Sequence, residues 1–141
     1  MTISKGTRMT NDADMAALER LEQQQADSWG HDGAAFAATF TESADFVDVM
    51  GGHLHGRDAI AKSLQDGFDT FMAGTRMSAS RERHVEFVSP GLAVVINSGN
   101  CVLQPGATEC RAEDLSIQTK VAVKQDGQWL FQTFQNTRIR S

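Results

Sequence analysis

The chain has 141 residues, 40% of them hydrophobic and 22% charged, with a net charge of −5. That length supports one domain with a substantial core, and the acidic balance excludes the basic patch that nucleic-acid binding requires. The longest apolar run, Leu92 to Ile96, is far too short to cross a membrane.

Residues 1–10 lack periodicity, so residues 1–11 are expected to be a disordered start to a single domain over 12–141. Asn11 offers an N-cap, with Asp12 and Asp14 favouring the helix dipole in the first turn. Met15, Leu18, Leu21, Ala26 and Trp29 continue a helical stripe that stops at Gly30. A shorter helix is predicted from Asp32, with Phe36 and Phe40 four residues apart on one face. Residues 45–50 read as a short strand turning on Gly51-Gly52. Gly56-Arg57-Asp58 opens a third helix, carried by Ile60, Leu64, Phe68, Phe71 and Met72 and ended by Gly74.

Beyond Gly74 the period changes to two. Four strands are predicted over 76–88, 92–103, 113–124 and 128–140, separated by Pro90-Gly91, Pro105-Gly106 and Asp126-Gly127. In the third, Leu115, Ile117, Thr119, Val121 and Val123 alternate with Ser116, Gln118, Lys120, Ala122 and Lys124. The first set is expected to be the buried face and the second the more polar one. Helices first and strands last indicate α+β. The expected architecture is a cone: a curved antiparallel sheet with three N-terminal helices on its concave face. Its mouth would hold a mostly apolar pocket with a few polar groups.

Asp48 is the leading acid–base candidate. On a strand it shares a face with Phe46 and Met50, and desolvation between a phenyl ring and a thioether would raise its pKa toward that of a general base. The competing reading is a solvated edge carboxylate or a partner for Arg57 or Arg83. His53 and His55 have the spacing of two imidazoles on one face, but no third fixed ligand or HExxH pattern supports a metal, so none is expected. His55 is instead assigned an acid or hydrogen-bonding role. Phe46, Met50 and Phe68 are taken as apolar lining, although core is the simplest reading of Phe68. Trp29 is placed at the mouth with its indole N–H usable.

Asn97 shares a face with Ala93 and Val95, either as a buried amide aimed at a ligand or as a satisfied core amide. Arg83 holds an anionic or carbonyl group, or lies on the sheet exterior. Gln118 and Lys120 pose the same choice. Asn136 is assigned to the pocket because it shares a face with Phe134. Cys101 and Cys110 either pair across a hairpin or stay as free buried thiols, the default. No GxGxxG, Walker or GxSxG pattern occurs, and no cofactor is expected. No basic-then-apolar leader opens the chain, and a cytoplasmic soluble protein is expected.

The order of these elements resembles the nuclear-transport-factor-2-like superfamily, which includes ketosteroid isomerase and the SnoaL-like polyketide cyclases. The resemblance rests on Trp29-Gly30-His31-Asp32-Gly33, Phe40-Thr41-Glu42-Ser43-Ala44-Asp45-Phe46, Gly52-His53-Leu54-His55-Gly56-Arg57-Asp58-Ala59-Ile60, and Asp126-Gly127-Gln128-Trp129 through Gln135-Asn136-Thr137. It points most directly to the SgcJ/EcaC subgroup, some of whose members are encoded with enediyne polyketide pathways. The resemblance implies a cystatin-like α+β barrel with Asp48 at the position of the isomerase general base. It also implies a small apolar partner, a polyketide or polyene intermediate. The chain contains no tyrosine, so the oxyanion donor of those isomerases has no counterpart. Two functions follow: a cofactor-independent cyclase, isomerase or dehydratase, or a non-catalytic protein that shelters such an intermediate. A homodimer through the outer sheet face is expected as well, from family habit and from apolar groups on both faces of the last strand. These are Leu130 and Phe134 on one face, Trp129 and Phe131 on the other.

Overall fold

A computed structural model describes residues 5–140, with side chains from residue 11 onward. Helix α1 spans Lys5–Ser28, starting ahead of the expected Asn11 cap. Part of the predicted disordered start is therefore helical, and residues 1–4 lie outside the described residues. The buried stripe of α1 is Asp14, Leu18 and Gln25, and Trp29 just past its end is buried against Phe36 and Phe68. Asp14 accepts hydrogen bonds from the Trp129 indole at 2.9 Å and the Lys124 ammonium at 3.2 Å, fixing the helix to the last strand. The chain leaves α1 through Gly30 at φ +88°, where any Cβ would lie 2.1 Å from the Thr75 carbonyl oxygen. Only glycine permits that approach. Helix α2 (Gly33–Ala37) is capped by Asp32, whose carboxylate accepts from the Ala35 N–H at 3.0 Å. Helix α3 spans Arg57–Phe68.

Among the described residues eight strands follow the breaks in hydrophobic period. They are β1 (Phe40–Val47), β2 (His53–His55), β3 (Arg76–Met77), β4 (Glu82–Ser89), β5 (Leu92–Asn100), β6 (Val102–Leu103), β7 (Ser116–Gln125) and β8 (Gln128–Arg138). Six form a curved sheet in the order β2-β1-β8-β7-β5-β4, and β3 pairs with β6. The fold is the expected α+β one, with a correction: the sheet is mixed, because β1 runs parallel to β8. The predicted strand over 45–50 begins at Phe40 and ends at Val47, and the long strand predicted from Arg76 is broken into β3 and β4.

Register sets what the concave face carries. One row holds Phe87, Ala93, Ala122 and Phe131; the next holds Val85, Val95, Lys120, Phe134 and Phe46. A third row is entirely polar: Arg83, Asn97, Gln118 and Asn136. A bulge at Val121/Ala122 turns both Phe131 and Phe134 inward, although they are three residues apart. These two pack with Phe36, Phe40 and Phe46 at centroid separations of 4.9–6.3 Å. Burying each ring contributes about 1.5–3 kcal/mol.

The facing of β7 is the reverse of the expectation. Ser116, Gln118, Lys120 and Ala122 are buried, whereas Ile117, Val121 and Val123 are only partly covered and Thr119 is exposed. Polar side chains point inward because the inner face at this end borders a cleft whose far wall is the polar side of α1, where Glu22 meets Lys120. The cysteines are also corrected: Cys101 and Cys110 form a disulfide. Among the described residues no helix is long and apolar enough to cross a membrane.

Candidate functional site

The third row of the sheet opens into a cleft of about 270 Å³. Its walls are the sheet (Arg83, Asn97, Asn100, Gln118, Lys120), α1 (Glu19, Glu22, Gln23, Gln25, Ala26) and the segment 77–80. A smaller cavity of about 180 Å³ lies farther along, lined by Asn136, Ser116, Arg138, Arg111 and Asp114 among others.

Lys120 sits at the cleft's inner end, 3% exposed. Its ammonium lies over the rings of Phe131 and Phe134 at 5.3 and 5.6 Å and donates to Glu22 Oε1 at 3.3 Å. Glu22 Oε2 accepts from Arg83 Nε at 3.0 Å. One carboxylate on α1 thus holds two cations on two strands. Burial pushes the Lys120 pKa below its ordinary value, against the pull of Glu22. Burial alone would raise Glu22, but the hydrogen bond from Arg83 and the two positive charges outweigh it and hold the carboxyl below the usual range. Arg83 also approaches Glu19 at 3.8 Å at the rim.

Beside these charges lie amides with spare capacity. Asn97 and Asn100 are 6% and 3% exposed, and their Oδ1 atoms are buried without a hydrogen-bond partner. Asn136 Oδ1 is in the same condition in the neighbouring cavity. Buried polar groups are normally satisfied, and each orphaned one costs about 1–3 kcal/mol. Two of the three line the cleft and the third the neighbouring cavity.

Of the residues singled out from sequence, Arg83, Asn97, Gln118 and Lys120 meet in the cleft, and Asn136 continues the row of Arg83, Asn97 and Gln118. The others do not join them. Asp48 follows the end of β1, and its Oδ1 accepts from the N–H groups of Met50 at 2.8 Å and Gly52 at 2.9 Å. It closes the turn through Gly51 and Gly52, where a Cβ on Gly52 would meet the carboxylate at 2.5 Å. Met50 is 88% exposed, so the expected sandwich of Asp48 between Phe46 and Met50 is not formed. Phe46 stacks on Phe134 within the core. His55 and His53 donate to Asp45 Oδ1 at 2.8 and 2.7 Å on the exposed face of the sheet edge. Asp45 is held below its ordinary pKa by those two hydrogen bonds. Trp29 and Phe68 are buried against each other, and the indole N–H is used on Thr75 Oγ1 at 3.1 Å. Among the described residues no group of three or more His, Cys, Asp or Glu is placed to hold a metal.

Glu22, Gln25 and Asn100 were missed. A signal for the first two existed: Leu18, Glu22, Gln25 and Trp29 fall at helical spacing on one face. Polar residues interleaved with a buried stripe mean either an ion pair or a pocket.

Charged and amide side chains thus converge on one cleft of a half-open α+β cone. No protein-family model matches the chain, and no curated protein matches it. Among solved structures, it is 38% identical to a domain of unknown function with a cystatin-like fold from Nostoc punctiforme. That match has a TM-score of 0.82 and covers 92% of this chain and 79% of that one. A putative scytalone dehydratase from Novosphingobium aromaticivorans is 27% identical, with a TM-score of 0.75 over 94% of this chain and 89% of that one. An NTF2-like protein with a cystatin-like fold from the same organism is 17% identical, with a TM-score of 0.81 over 100% and 94%; it shares the fold. The chain belongs to the same cystatin-like-fold family as the Nostoc domain.

Proposed function

We propose that this protein binds a small molecule in the α1–sheet cleft and carries out cofactor-independent proton-transfer chemistry on it, an isomerisation or dehydration. The observation that carries this reading is Lys120, an ammonium 3% exposed at the end of an open cleft. Negative charge developing on a carbonyl oxygen is strongly stabilised by a fixed cation in a site of low polarity. Lys120 and Arg83 supply that cation, and Glu22, between them, is the proton acceptor in place of Asp48. The likeness to the putative scytalone dehydratase supports elimination of water. A polyketide-derived hydroxy ketone fits this chemistry; association with polyketide or enediyne biosynthesis is the finer reading, carried by the family resemblance alone.

One observation favours the sheltering alternative. Glu22 accepts from both cations and is held below its ordinary pKa, which weakens it as a base. A panel of β-hydroxy ketones in D₂O separates the two readings. Exchange of the α-proton above the buffer rate, lost in Lys120→Met, is the expected result. Binding without exchange would leave the sheltering role, and neither binding nor exchange would reject both.

A homodimer through the convex face belongs to this proposal. Leu92, Val123 and Leu130 line up across β5, β7 and β8, with Val94 and Val121 in the next row. All five are only partly covered by the chain itself. This apolar strip is what a second copy would cover. The disulfide bears on location, since such bonds persist in oxidising surroundings and weigh against the cytoplasmic expectation.

A further inference from the structure

Resting on the reading of this cleft as a ligand site, we infer that Lys120 Nζ is a nucleophile, forming a Schiff base with an uncharged aldehyde or ketone. Three lysine side chains are described, and their settings differ. Lys62 is 81% exposed and pairs with Asp66 one turn along α3. Lys124 is 33% exposed and pairs with Asp14. Lys120 is 4% exposed at the side chain, yet it lines an open cleft. Among the described lysines only this one combines removal from water with a place beside an entering molecule.

The surroundings of Nζ act on its two protonation states in opposite senses. Burial disfavours the ammonium, Glu22 favours it and Arg83 disfavours it, and the net direction is toward the neutral amine. A lysine that is desolvated and adjoins a second cation has the setting in which amines serve as nucleophiles at neutral pH. The ligand's charge follows from the lining. Glu19 and Glu22 face Arg83 and Lys120, two carboxylates against two cations. An uncharged molecule preserves that balance, and a charged one leaves an unpaired charge in a site of low polarity. Schiff-base formation preserves it as well. The ammonium becomes a protonated imine, still singly positive, so Glu22 and the faces of Phe131 and Phe134 keep a cation beside them.

The step balances without oxidant or reductant. Glu22 Oε1, 3.3 Å away, accepts one proton from the ammonium. The freed lone pair of Nζ attacks the carbonyl carbon, and the C=O π pair moves to oxygen. That oxygen takes a proton from nitrogen, giving a neutral carbinolamine. The proton held by Glu22 then joins the hydroxyl, the C–O bond breaks, and water leaves as the nitrogen pair forms C=N. Of the three ammonium protons, two are in the water and one stays on the iminium. The iminium draws electrons from the neighbouring carbon more strongly than the parent ketone does. Its α-proton is easier to remove, and a carboxylate as weakly basic as Glu22 suffices. Loss of a β-hydroxyl from the resulting enamine is then the dehydration of a β-hydroxy ketone.

The first probe is acetylacetone, an uncharged diketone that condenses with an amine, losing water, to a conjugated enaminone absorbing beyond the tryptophan band. With the whole chain at neutral pH, peptide mapping should find the enaminone at Lys120, formed about tenfold or more faster than at Lys62. Lys120→Met and Lys120→Arg should both lose the fast phase, with circular dichroism showing the fold intact. The second probe is diacetone alcohol, a β-hydroxy ketone, with cyanoborohydride to reduce an imine to a stable amine. It should be trapped at Lys120, and its α-proton exchange should fall to the buffer rate in both variants. Arginine keeps the positive charge but is no nucleophile. Exchange surviving in Lys120→Arg would therefore overturn the Schiff base and leave Lys120 as an electrostatic partner. Enaminone formation no faster at Lys120 than at Lys62 would overturn it too. Trapping at Lys120 without exchange would uphold the Schiff base and reject the proton-transfer reading.

Discussion

Replacing Glu22 with glutamine should destabilise the fold far more than replacing Lys120 with methionine. At 3.3 Å the Glu22–Lys120 attraction is about 5 kcal/mol for an effective dielectric of about 20, before the cost of removing both ions from water. Removing one member of a buried pair leaves the other uncompensated, at about 3–5 kcal/mol. Glu22→Gln does this to Lys120, which is nearly inaccessible to water and adjoins Phe131 and Phe134. Lys120→Met removes the desolvated cation, and Glu22 keeps Arg83 as its partner. Its net effect should be within about 1 kcal/mol of zero or stabilising. Urea unfolding followed by tryptophan fluorescence reports both changes, because Trp29 and Trp129 are buried. With a slope of about 2 kcal/mol per molar, Glu22→Gln should lower the midpoint by about 1.5–2.5 M. The pH dependence has a definite sign. The folded pKa of Lys120 lies below its ordinary value, so the unfolded chain binds more protons in the window between the two. Stability should rise as the pH rises through that window, and Lys120→Met should abolish the rise. Glu22 acts at the other end: its lowered pKa contributes stability above the ordinary carboxylate value, lost as the pH falls through the folded one. Small and equal midpoint shifts for the two variants would mean that the pair is screened by water, and the argument for a dry, charged inner end would fail.

Asp48→Ala should cost about 1–2 kcal/mol by freeing the Met50 and Gly52 N–H groups, while α-proton exchange of the β-hydroxy ketones stays unchanged. Exchange lost with an intact fold would return Asp48 to the site. Serine at both Cys101 and Cys110 should lower stability by about 2.5 kcal/mol, the loop-entropy value for a separation of nine residues; an unchanged urea midpoint would contradict this. Sedimentation of the wild type should give a dimer mass at micromolar concentration. Glutamate at both Val94 and Val121 should give a monomer, and a monomeric wild type would reject the convex-face interface.

The sequence of helices and strands along the chain and the turns between them were legible because each has a local cause. Asp126 and Gly127, for example, adopt φ of 51° and 78° in the β7–β8 turn, the conformation for which Asp-Gly is suited. Strand facing was not legible. Alternation in β7 distinguishes two faces but does not say which one is covered, and the apolar face turned out to be the outer one. The inward turn of both Phe131 and Phe134 depends on a bulge, which period-two reasoning cannot supply. Asp48 was misplaced for a related reason: β1 ends at Val47, so the apparent strand spacing of Phe46, Asp48 and Met50 runs out of the strand into the turn.

The concave face also shows why the cleft cannot be explained by folding alone. In the row Val85, Val95, Lys120, Phe134 and Phe46, one position in five is charged. A leucine or methionine there would pack on the same rings without desolvating an ammonium, and such replacements of buried ions are commonly neutral or stabilising. The next row adds Asn97, whose buried amide oxygen has no partner, and Asn136 in the same state. Each choice runs against stability, yet together they occupy one contiguous wall. Local choices that oppose the fold and agree with one another are expected at functional sites.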